Sequence, residues 1–149
     1  MVDPLTPADR STLMAKVKST GNRSTEMKAI AALDSADIGG WERHAHLPGK
    51  PDFYFPRDRL VVFIDGCFWH GCPQHVRYPQ AHADYWREKI DRNRRRDNRV
   101  RRQLRADGFH VMRVWEHDLR SDTWVKRLLA MLRRIEAQTI ASDDLPVCE

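Results

Sequence analysis

Asp52-Phe53-Tyr54-Phe55-Pro56-Arg57-Asp58-Arg59-Leu60-Val61-Val62-Phe63-Ile64 holds two strands and the turn between them. Pro56-Arg57-Asp58 interrupts the apolar pattern with turn-forming residues, which predicts a hairpin connection. Leu60 to Ile64 is apolar at every position. Such a run fits a central strand covered on both faces.

Upstream, Leu47-Pro48-Gly49-Lys50-Pro51 is a turn, and Gly39-Gly40 ends a preceding helix. That helix is expected from Ser24 to about Leu33, with Glu26 in its first turn and Met27, Ile30 and Ala31 facing inward. Thr6-Pro7 has the form of a short helix start. Downstream, a loop rich in Gly, Cys and His runs from Asp65 to about Tyr78. A long helix follows from about Ala83 to Ala106. Its inward stripe reads Trp86, Ile90, Asn93, Asp97, Val100, Leu104, with two polar residues among the apolar ones. Gly108 ends it, Phe109 to Trp115 is a strand, and Asp122 to about Ala137 is an amphipathic helix. Helix, two strands, helix, strand, helix defines a mixed α/β layered domain over residues 1–140, with an acidic, flexible tail at 141–149.

The 149 residues suit one domain. No apolar run approaches the ~20 residues that span a bilayer, and the N-terminus lacks the apolar core of a signal peptide. With 3 Cys, a disulfide framework is not expected. The expectation is a soluble cytoplasmic protein with reduced or metal-bound cysteines. The chain carries 26 Lys+Arg against 21 Asp+Glu, net +5. Arg87 to Arg105 alone holds ten bases and three acids. That density is the footprint of a polyanion partner, nucleic acid first, although a solvated helix face has the same composition.

Three constellations carry chemistry. Cys67-x4-Cys72-x2-His75 lies in one loop and His117 follows a later strand, a spacing that suits tetrahedral Zn²⁺. Free cysteines also pack as small hydrophobes, and Cys148 in the tail is a bystander. Asp52 opens one strand and Asp65 ends the next, so hairpin pairing brings them together. Carboxylates there suit Mg²⁺, with the main-chain oxygen of Ile64 completing the shell. His70 is placed to act as a general base, and His82 is a weaker candidate. An Asp at a strand edge is more often a turn residue. Finally, Phe68, Trp69 and Trp86 neighbour the basic helix, where aromatics either stack on bases or fill the core.

LPGKPDFYF, VVFIDGCFWHGC, YWREKIDRNRRRDNR and GFHVMRVWEHDL together resemble the very short patch repair endonuclease family, from about Arg10 to Leu119. The resemblance implies a restriction-endonuclease-like fold with a mixed sheet flanked by helices and a structural zinc. It implies a nick 5′ to the T of T:G mismatches left by deamination of 5-methylcytosine. Asp52 matches the family's Mg²⁺-binding aspartate, Ile64 its main-chain ligand, His70 its general base, and Glu26 a glutamate implicated in catalysis. Phe68, Trp69 and Trp86 match aromatics that wedge into the duplex. Asn93 and Asp97 match the RN-x-x-RD signature, Asp97 in a supporting role. Cys67, Cys72 and His117 match zinc ligands.

The loop after GCFWH is shortened, so the family's ligand histidine before the second Cys is missing and His75 stands in for it. His117 lies where a Cys can stand, and Asp65, grouped here with the catalytic residues, lies where one member has His. Lys89, Arg92, Asn93 and Arg96 are expected DNA contacts, and residues 1–23 a DNA-contacting arm. The implied partners are mismatched double-stranded DNA, a mismatch-repair scaffold protein and a DNA polymerase, for a monomer at the bacterial nucleoid. Two rival readings share these residues. One is a silent zinc-stabilised DNA-binding protein; the other is a related nuclease with another DNA substrate.

Overall fold

A computed structural model describes residues 23–143. The expected arm, apart from Arg23, and the end of the tail lie outside the described residues. Helix α1 (Arg23–Ser35) precedes strands β1 (Phe53–Phe55) and β2 (Leu60–Asp65). Helix α2 (Ala83–Ala106), strand β3 (His110–Trp115), a 3-10 turn (Glu116–Arg120) and helix α3 (Thr123–Asp143) follow.

β2 is the middle strand, as its apolar run requires. It pairs antiparallel with β1 (Phe53 opposite Val62) and parallel with β3 (Val62 opposite Met112). The first pairing needs only the Pro56–Arg59 turn. The second needs a crossover, which α2 supplies. Leu60, Val61 and Val62 are each at most 1% exposed, and burying each side chain stabilises the fold by roughly 1.5–3 kcal/mol.

Strand alternation divides the core. Phe53, Phe55, Leu60, Val62, Met112 and Val114 face α1 and α3. Val61, Phe63 and Val111 face α2 through Leu104. Asp65 and Arg113 continue that second face by the same two-residue period, so two charged residues extend its apolar rows. Ion pairing makes this possible, as shown below.

α2 runs over the expected span. Trp86, Ile90 and Leu104 are buried on its stripe, with Asn93, Asp97 and Val100 half-buried. Two expectations are corrected. In α1 the inward residues are Ala29 and Leu33, with Ile30 at the flank; Met27 is 58% exposed and Ala31 is exposed. Ala29 and Leu33, four residues apart, share the helix face that enters the core, and Met27, two residues before Ala29, falls on the opposite side. α3 continues to Asp143, past Ala137 and into the first residues assigned to the tail. No Gly or Pro interrupts it there, and Thr139 and Ser142 bond back to the carbonyls of Ile135 and Gln138. No helix among the described residues is long and apolar enough to cross a membrane.

Candidate active site

The Asp65–Tyr78 segment folds over the end of β2 as successive turns. His70 N–H donates to Gly66 O, Cys72 N–H to Cys67 O, and His75 N–H to Cys72 O. These bonds stack Cys67, Cys72 and His75 against the 3-10 turn that carries His117. The four potential ligand atoms all lie within 4.8 Å of one another. Cys67 Sγ is 3.2 Å and Cys72 Sγ 3.8 Å from His117 Nδ1, and Cys72 Sγ is 3.5 Å from His75 Nδ1. Tetrahedral Zn²⁺ with S and N ligands at about 2.0–2.3 Å sets its ligand atoms roughly 3.3–3.8 Å apart. Two soft thiolates and two imidazoles at this separation form a possible metal group, and the donors fit such an ion. His117 Nε2 lies 3.4 Å from Asp118 Oδ1, the outer-shell carboxylate that orients a ligand histidine. Burial pushes the Cys67 thiol up, with Cys72 adding to it, while the N–H of His117 opposes.

Asp52 sits just ahead of β1. Its N–H donates to Val62 O, and its Oδ2 accepts the Ile64 N–H at 2.7 Å. Burial pushes its carboxyl up to about 6. Glu26 and Asp65 add to this by repulsion, while the Ile64 bond and His70 oppose it. Glu26 reaches the site from the first turn of α1 and is paired with Arg43. Three carboxylates are thus gathered where β1 begins and β2 ends, the setting a hard cation relieves.

His70 lies across this group. Its Nδ1 is 2.5 Å from Asp97 Oδ2 and 3.8 Å from Asp65 Oδ1. In the neutral ring, a proton on Nδ1 serves this carboxylate and leaves Nε2 with the lone pair. Burial would raise the Asp97 carboxyl, but the His70 hydrogen bond and the charges of His70 and Arg113 hold it below its ordinary value. Asp65 is 4% exposed, and Arg113 takes both its oxygens, Nε at 2.6 Å and Nη2 at 2.7 Å. Burial would lower the Arg113 guanidinium, but Asp65 first, then Asp97, holds it above its usual range.

Phe68, Trp69 and Trp86 form a three-ring cluster with centroids 5.2–6.2 Å apart. Phe68 and Trp69 are half-buried, whereas Trp86 is 6% exposed. Trp86 therefore backs the other two from the core. Lys89 Nζ lies 5.7–5.8 Å from the centroids of Trp69, Tyr85 and Trp86. Asn93, one of the expected DNA contacts, donates to Trp69 O at 3.0 Å. It holds the loop, because its place on the inward stripe of α2 faces that loop. Arg92 pairs with Glu88 on the exposed face, and Arg96 is exposed. His82 is exposed at the start of α2, where its carbonyl accepts the Trp86 N–H.

Two residues escaped the sequence reading. Arg113 was legible as a charge on the inward phase of β3, level with Val111 and Trp115. Arg43 carries no local signal, since its partner lies on another element.

The family model described as DNA mismatch endonuclease Vsr matches residues 2–75. The chain is 41% identical over 121 residues to the type II nicking enzyme V.XorIIP of Xanthomonas oryzae, covering 80% of this chain and 88% of that one. It is 36% identical over 120 residues to the DNA mismatch endonuclease Vsr of Escherichia coli (72% and 77%). It is 34% identical over 124 residues to the type II nicking enzyme V.NmeDIP of Neisseria meningitidis (82% and 83%). These likenesses define the class: a DNA endonuclease, with DNA as its substrate. Within that class, the chain belongs to the Vsr family of DNA mismatch endonucleases.

Proposed function

We propose that the protein is a Mg²⁺-dependent, zinc-stabilised endonuclease that nicks one strand 5′ to the T of a T:G mismatch. The observation that carries this is that Asp52, in its carboxylate-rich pocket, lies near enough to feel the charge of a His70 held by Asp97. Two of the relatives are named nicking enzymes, which supports a cut in one strand. The mixed three-stranded sheet with helices on both faces supports a restriction-endonuclease-like core.

Asp52 and the main-chain oxygen of Ile64 would hold Mg²⁺, with Glu26 close by. When bound, the ion supplies charge stabilisation at the scissile phosphate and makes a coordinated water more acidic. His70 accepts the proton of the attacking water at Nε2. The imidazolium that results is stabilised through Nδ1 by Asp97. Asp65, with both oxygens on Arg113, holds the site together rather than acting on the substrate. Phe68 and Trp69 enter the duplex at the mismatch, where unstacking costs least, with Trp86 and Lys89 behind them. The arginines of α2 contact phosphates, a contribution that falls steeply with salt. Cys67, Cys72, His75 and His117 hold a structural Zn²⁺ that ties this loop to the 3-10 turn.

Asp52→Ala tests the reading against a silent DNA-binding protein. The variant should bind a T:G duplex as wild type does and cut it no faster than background. Cutting at the wild-type rate, or wild-type protein that binds without cutting in Mg²⁺, overturns it.

A further inference from the structure

Arg113 lies inside the site but takes no part in the reaction proposed above. Its fork holds Asp65 at 2.6 and 2.7 Å, and its Nη2 lies 3.5 Å from Asp97 Oδ1. Its guanidinium carbon sits 4.8 Å from the centroid of the Phe63 ring. One cation, fixed over an aromatic floor, is therefore shared by two carboxylates. These are the same two that come within 4 Å of His70 Nδ1, Asp97 at 2.5 Å and Asp65 at 3.8 Å. One ring N–H serves only one of them well.

We propose that Arg113 is a positioning residue: by occupying both oxygens of Asp65, it makes Asp97 the partner of His70 and so aims the Nε2 of that ring. The inference rests on His70 being the general base. Without Arg113, Asp65 stays buried with its two strong donors gone. A buried carboxylate in that state takes the nearest donor available, which is His70 Nδ1–H. The ring then turns from Asp97 toward Asp65 and carries Nε2 with it. A lysine does not replace the arginine, because an ammonium lacks the planar fork that fills both oxygens.

The test is single-turnover nicking and equilibrium binding of a T:G duplex by wild type, Arg113→Met, Arg113→Met/Asp65→Asn and His70→Ala. Arg113→Met should slow nicking on the order of 10²-fold, the usual effect of misplacing a reacting group by about 1 Å. Its affinity for DNA should stay at the wild-type value. Adding Asp65→Asn removes the competing charge and should recover most of that loss. A merely structural arginine predicts the opposite, since a second change in the core adds damage. Imidazole ¹H–¹⁵N spectra without added Mg²⁺ supply a readout separate from activity. The Nδ1–H signal that His70→Ala removes should shift in Arg113→Met and return in the double variant. If Arg113→Met does not fold, Arg113→Lys takes its place, with slowed nicking and unchanged affinity expected. Wild-type nicking by the variant used, or a double variant no faster than Arg113→Met, overturns the inference. Wild-type nicking by His70→Ala overturns instead the assignment of the base on which it rests.

Discussion

Gly71 joins His70, the proposed base, to Cys72 of the Cys/His cluster, and its replacement by alanine tests how tightly that joint is built. Its φ is +64°, in the left-handed region, and it is buried. An added Cβ would lie 2.9 Å from Ile90 Cγ2 and 3.1 Å from Arg94 Cδ. The left-handed backbone costs a non-glycine residue about 1–2 kcal/mol. Overpacking adds about 1–3 kcal/mol, since Ile90 is 0% exposed on α2 and has nowhere to go, whereas Arg94 can swing aside. Gly71→Ala should therefore destabilise the fold by roughly 2–5 kcal/mol. At about 2–4 °C per kcal/mol for a chain of this size, the midpoint of thermal unfolding followed by circular dichroism should drop by about 4–20 °C. The folded variant should also nick more slowly, because relief of the clash moves His70 relative to Asp97. A melting temperature within about 2 °C of wild type would refute the packing argument.

Two other outcomes follow. The Asp52 carboxyl is raised from 3.8 to about 6, so its protonated form is the one that folding favours. Its stabilising contribution is complete below pH 3.8 and lost as pH rises through about 6, so at pH 8 without Mg²⁺ the ionised group costs about 2–3 kcal/mol. Asp52→Asn should then unfold at higher denaturant than wild type at pH 8 and at equal denaturant near pH 4; equal midpoints at both would contradict this. For the metal group, about one equivalent of zinc should accompany the purified chain, and a zinc-selective chelator, with Mg²⁺ kept in excess, should stop nicking by loosening the Cys67–His75 loop. Folded, active protein without metal by elemental analysis would remove that assignment.

The frame of the fold was legible because its signals are local. An unbroken apolar run marks β2 as central, and the helical period of Trp86, Ile90, Val100 and Leu104 marks α2. The same period turned Asn93 and Asp97 inward, and they meet Trp69 O and His70 in the loop above. The Cys67-x4-Cys72-x2-His75 spacing was readable because turns close over short distances. Partnerships across the chain were not readable. Asp65 meets Arg113 and Glu26 meets Arg43 only because strand order and helix packing bring them together. The inward stripe of α1 was misread for a related reason. Which of its faces enters the core, the one with Ala29 and Leu33, is set by packing against the rest of the fold, which no property of the helix alone announces.

The central claim is a single-strand cut directed by a T:G mismatch. Its most direct test uses two end-labelled duplexes that differ only in carrying a T:G pair or a fully paired step within a CT(A/T)GG-type context. Each is incubated with protein and Mg²⁺, and both strands are resolved on a denaturing gel. The account predicts one nick, 5′ to the T, on the mismatched duplex alone. Cutting of the paired duplex, or of both strands, would contradict it.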